Sequence, residues 1–71
     1  MSLKKLRISK GYKTQREFAV AIGKKNTTVS MWENGFSKPK LKDIPVLMRA
    51  LNESAEVILA CFEQEGNNDK P

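Results

Sequence analysis

The 71 residues make one domain, because chains divide into units of roughly 50 to 200 residues, and they leave no room for a two-domain enzyme. A composition of 39% hydrophobic and 30% charged residues fits a folded soluble globule; the single cysteine and the absence of histidine exclude an internal disulfide, a structural zinc site and the usual catalytic triads. A core this small supplies only about 3–5 kcal/mol by itself, so a bound partner or a dimer is expected to add to it.

The formal net charge is +5, and it is unevenly spread. Residues 1–42 carry eleven Lys and Arg against Glu17 and Glu33, a net +9. Residues 43–71 carry Arg49 and Lys70 against six carboxylates, a net −4. A basic half followed by an acidic half points to one anionic surface as partner, a nucleic acid or a membrane face. The longest apolar run, Val57 to Phe62, is far shorter than the ~18–20 apolar residues of a bilayer span, so no membrane insertion is expected. Met1 to Lys10 is charged and lacks the apolar core of a signal peptide, which predicts a reduced cytoplasmic setting.

Leu3, Leu6 and Arg7 share one face of a first helix that ends near Gly11. Thr14 and Glu17 form a capping-box pair, so a second helix starts at Gln15, buries Phe18, Ala19 and Ile22, and stops at Gly23. Val29 and Trp32 mark a third helix of about two turns, closed by Asn34-Gly35. After a loop from Phe36 to Lys40, the stripe Leu41, Ile44, Leu47, Met48 and Leu51 predicts a fourth helix that begins near Asp43, with Pro45 in its first turn. Asn52 suits its left-handed cap, and Ser54 caps a fifth helix running to about Glu65, with Glu56 in its first turn. Residues 66–71 are expected to be a disordered polar tail. The expected fold is all-α, a single domain over residues 1–65.

Counting Gln15 as one, Ala19 falls at position five, Gly23 at nine, and Val29 and Trp32 at fifteen and eighteen. Each position has a steric reason. Two helices crossing at a steep angle approach closely at the small residue; glycine permits the turn between them; the two apolar residues anchor the second helix to the core. This is the spacing of a DNA-binding helix-turn-helix.

Around that unit stand Leu3, Leu6, Arg7 and Gly11 before it, Thr14-Gln15, Glu17-Phe18-Ala19 and Ile22-Gly23 within it, Val29-Ser30 and Trp32-Glu33-Asn34-Gly35 after the turn, then Pro39 and the stripe Ile44, Leu47 and Leu51. In this series the chain resembles the Cro and phage-repressor type of domain, the lambda-repressor-like or XRE family, over about residues 3–62. The resemblance implies a compact five-helix fold with helices 2 and 3 as the helix-turn-helix. It departs from the family's usual pattern at Lys25, where Ser or Thr commonly caps the third helix; Lys25 and Asn26 are the alternative caps here. The connection from Gly11 to Thr14 is one residue longer than the commonest form, and Pro45 is unusual in the fourth helix.

By the same resemblance the third helix enters the major groove, with Asn26, Thr27, Thr28 and Met31 at the base-reading positions. Their chemistry suits base edges, since Asn pairs bidentately with adenine, threonine offers a hydroxyl and a methyl, and Met31 gives apolar contact. Thr14 and Gln15 open the second helix, where family members hold a phosphate. Lys38 and Lys40 match the basic loop that lies along the DNA backbone. Lys24 and Lys25 are read as phosphate contacts, with a merely solvated surface as the competing reading. Arg7 and Glu33 match a partly buried structural ion pair, and Trp32 is read as core.

Cys61 is read as a buried or interface apolar residue rather than a reactive thiol. The residues from Val57 to Phe62 wrap more than one helix face, which predicts a dimer seam with Leu59 and Phe62 as its candidates. The expected function is a sequence-specific transcriptional regulator, a Cro-like phage or prophage repressor favoured by the brevity of the chain. It would bind a double-stranded DNA operator as a homodimer in a bacterial cytoplasm. Neither catalysis, cofactor, metal nor small-molecule ligand is expected. The alternative is an antitoxin or other protein-interaction module whose DNA binding is secondary.

Overall fold

The computed structural model describes residues 2–62, and every regular element among them is helical. Helix α1 (Leu3–Ser9) starts where the Ser2 hydroxyl accepts the N–H of Lys5. Helix α2 (Gln15–Ile22) opens on the expected capping box: Thr14 Oγ1 accepts the N–H of Glu17 at 3.1 Å, and the Glu17 carboxylate accepts the N–H of Thr14 at 3.4 Å and also that of Lys13 at 2.9 Å. Gly23 closes it at φ +71°, a left-handed conformation that side chains with a Cβ disfavour.

Helix α3 (Asn26–Glu33) begins at Asn26, with Lys25 as the flanking residue in extended conformation and no side chain bonded over the helix end. Asn26 is therefore the first helical residue and not the cap. A 3-10 turn (Leu41–Asp43) leads into α4 (Ile44–Leu51), where Pro45 takes a first-turn position that lacks an intrahelical acceptor anyway. Asn52 adopts φ +53° beyond its end, and Ser54 caps α5 (Ala55–Ala60) through the N–H of Val57.

The core is built from the inward stripes of all five helices: Leu3 and Leu6, Phe18 and Ala19, Val29 and Trp32, Leu47 and Leu51, and Ile58 with Cys61 and Phe62. The Tyr12 and Phe18 rings meet edge to face with their centres 5.2 Å apart, as do those of Trp32 and Phe62 at 6.4 Å. The Tyr12 hydroxyl donates to the Ala50 carbonyl at 2.8 Å and ties the α1–α2 connection to α4. The fold is the five-helix lambda-repressor-like arrangement, and no helix of the described residues is long and apolar enough to cross a membrane.

Three sequence-based expectations need correction. Leu41, placed by periodicity on the α4 stripe, is 88% exposed, because the tighter 3-10 turn takes it out of the 3.6-residue register. Helix α5 ends at Ala60 instead of running to about Glu65, since the N–H groups of Cys61 and Phe62 bond three residues back, to Ile58 and Leu59. That tightening sends Ile58, Cys61 and Phe62 inward together. Phe62 is only 8% exposed and packs on Trp32, so it belongs to the core and not to a dimer seam; Leu59 is 43% exposed. Glu65 and the tail at 66–71 lie outside the described residues.

Candidate nucleic-acid interface

The α2–α3 unit is held from below by Ala19, Val29 and Trp32, all 5% exposed or less. The turn between the helices is closed by the N–H of Lys24, which donates to the Ala19 carbonyl at 2.9 Å across Gly23. With Val29 and Trp32 facing inward, the opposite side of α3 carries Asn26, Thr27 and Met31 exposed and Thr28 half-buried. Since Asn26 is not spent on capping, its amide can meet a base edge.

Two shallow depressions flank this helix. On one side Thr28 and Met31 share a concave surface with Lys24, Lys38, Lys40 and Lys42, floored by Asp43. On the other, Asn26 borders Arg16, Val20, Lys24 and Lys25. The exposed reading side of α3 is thus ringed by six cationic side chains. Sequence reasoning does not single out Arg16 and Lys42. A signal exists for Arg16, which directly follows Gln15 and falls outside the buried stripe of α2; nothing local marks Lys42.

The residues expected to meet phosphate fare differently. Lys25 and Lys40 are exposed beside α3, and Lys38 lies in the same loop. Lys24 is drawn into an ion pair, its Nζ 2.9 Å from Asp43 Oδ1, so it is more than a solvated side chain and its charge is already opposed. At the start of α2, Thr14 has its N–H and its oxygen engaged with Glu17, which leaves its hydroxyl proton and the first amides of α2 to face a phosphate. The Gln15 amide donates to Glu33 Oε1 at 3.0 Å; its second N–H stays available while the first fixes its direction.

That bond joins Gln15 to the buried ion pair. Arg7 Nε donates to Glu33 Oε2 at 2.7 Å, both side chains 4% exposed, and a second guanidinium nitrogen donates to the Tyr12 carbonyl at 2.8 Å. Both Glu33 oxygens are satisfied, so the end of α3 is locked to α1 and to the start of α2 by charge-assisted bonds. Glu33 therefore faces inward and does not oppose an approaching phosphate.

Asp43 has its carboxyl held below the ordinary value of 3.8, first by the bond from Lys24, then by the Lys40 N–H and the charges of Lys24 and Lys42, against burial acting in the opposite direction. A depressed folded pKa stabilises the fold fully above the unfolded value of about 3.9 and loses that contribution as pH falls through the folded value. Urea titrations of the parent and of Asp43→Asn should therefore differ most near neutrality and converge as the pH falls through the depressed folded-state value. A constant difference across that range would mean that Asp43 is no more ionised by folding than in the unfolded chain.

Residues 3–58 match the helix-turn-helix family model, which covers more than half of the chain. The chain belongs to this family, the Cro/repressor or XRE type of helix-turn-helix domain, whose members are DNA-binding transcription regulators. No curated protein and no solved structure matches the chain.

Proposed function

We propose that this protein is a sequence-specific, Cro-like repressor that binds a two-fold operator as a homodimer, with α3 in the major groove of each half-site. The observation that supports this most is the composition of α3's outer side: Asn26, Thr27, Thr28 and Met31, which suit base edges, lie inside a ring of lysine and arginine that suits phosphates. One reading helix contacts only a few base pairs, so useful specificity takes two copies about 34 Å apart on one face of the duplex. Leu59, on the acidic half and outside the basic ring, is the seam residue in this reading. The work is done on cytoplasmic bacterial DNA, and no catalytic group is assigned.

Sequencing of duplexes selected from a random pool tests this directly, and a two-fold symmetric consensus is the expected result. Selection without a consensus would sink the reading. Binding of the selected duplex should weaken with salt at a log–log slope of about −0.9 per neutralised phosphate, and Lys38→Ala should weaken all duplexes alike. Thr27→Ala should instead flatten preference at one position per half-site, a loss of about 1–3 kcal/mol of discrimination. Equal losses on all duplexes for Thr27→Ala would move base reading to other residues.

A further inference from the structure

Asp43 is a carboxylate in a depression whose other charged residues are all lysines, within the surface that the proposed function turns toward DNA phosphates. A negative charge there repels the ligand over a screening length of about 8–10 Å. Its carboxylate does not cap α4, although Asp43 is the residue flanking that helix. It caps the start of its own 3-10 turn, where the basic loop ends, and reaches across to the α2–α3 turn instead. Oδ1 meets Lys24 Nζ at 2.9 Å, and Oδ2 accepts the Lys40 N–H at 3.0 Å. Lys24 belongs to the turn that launches α3, whereas Lys40 ends the loop that carries Lys38. Thr28 and Met31 of α3 border the same depression. With the residue 7% exposed, the contacts are shielded enough to hold their geometry.

We propose that Asp43 is a positioning residue of the DNA-binding surface: it clamps the basic loop to the helix-turn-helix turn, so that phosphate-binding lysines and base-reading side chains meet the duplex in one register. The clamp serves sequence selectivity at the cost of general affinity. This inference rests on the reading of α3 as a sequence-specific helix.

Charge and positioning predict opposite signs, which makes the test direct. Affinities of the parent and of Asp43→Ala are measured for the duplex selected from a random pool and for a scrambled duplex of the same length and composition, at a temperature where circular dichroism shows both proteins folded. Loss of the clamp should leave the scrambled duplex bound as tightly or more tightly, because a repelling charge has gone. The selected duplex should bind more weakly, so that the affinity ratio falls about tenfold, the worth of one base contact. Asp43→Asn keeps an oxygen for the Lys40 N–H and loses the Lys24 pair, and should lower the ratio by about threefold. A rise in both affinities together would reduce Asp43 to a repelling charge and overturn the proposal, as would an unchanged ratio in the folded Asp43→Ala protein. Amide exchange gives a readout independent of DNA: the Lys40 N–H should exchange faster in Asp43→Ala and near the parent rate in Asp43→Asn. Equal Lys40 exchange in parent and Asp43→Ala overturns the clamp itself, whereas a pool without consensus overturns the reading of function and leaves the clamp to the exchange result.

Discussion

Glu33→Ala should leave the domain largely unfolded at 25 °C, with its helical circular dichroism lost before any DNA is added. The substitution strands the Arg7 guanidinium, whose side chain is 4% exposed, and removes the acceptor of the Gln15 amide in the same step. Breaking one partner out of a buried ion pair costs about 3–5 kcal/mol, because the remaining charge stays desolvated. The whole stability of a core this small is of the same size. Replacing both partners, as in Arg7→Met with Glu33→Leu, should recover much of the loss, since two apolar side chains of similar volume leave no buried charge behind. Urea denaturation of the three proteins decides the matter. If Glu33→Ala unfolds at the parent's midpoint, water reaches Arg7 and the pair contributes little.

Phe62→Ala should destabilise the domain by about 3 kcal/mol, the low end for a buried phenylalanine because one edge of the site is near the surface. The ring packs edge-on against Trp32 and closes the core beside Cys61, so its removal leaves a cavity under α1 and α3. Leu59 is the contrasting case, three residues earlier and 43% exposed. Leu59→Asp should leave thermal stability within about 0.5 kcal/mol of the parent. In the proposed dimer it should also lower the association constant seen in sedimentation. Retained helicity in a Phe62→Asp protein that merely dissociates would return Phe62 to an interface and displace it from the core.

These two sites mark how far local reading reaches. The Arg7–Glu33 pair spans 26 residues and is expected only because the chain resembles a family that has it; periodicity puts Arg7 on an inward face without naming its partner. Phe62 escapes local reading because an apolar run taken as one continuous helix spreads over several faces. The run is in fact a short helix followed by bonds to the third residue back, which rotate Cys61 and Phe62 to the side of Ile58. Leu41 departs from expectation for a related reason, its 3-10 turn having a different period from the helix it precedes.

The base-reading side of α3 is legible because it is what remains once Val29 and Trp32 are turned inward. The condition of its lysines is not. A count of charges assigns Lys24 and Lys25 the same role, yet one is bound to Asp43 and the other is exposed beside Asn26.

What the sequence by itself determined is local. The capping box of Thr14 and Glu17, the left-handed stops at Gly23 and Asn52, and the inward stripes of α2, α3 and α4 depend on residues at most a turn or two apart. Backbone sterics and hydrogen bonding settle those choices before the chain closes on itself. Only the tertiary structure decided which partners the long polar side chains meet: Gln15 the Glu33 carboxylate across 18 residues, Tyr12 the Ala50 carbonyl across 38, and Lys24 the Asp43 carboxylate at the basic depression. The reason is geometric. A charge or donor on a flexible stem is drawn to whatever counterpart packing brings within about 3 Å, and helix order along the chain does not reveal that distance.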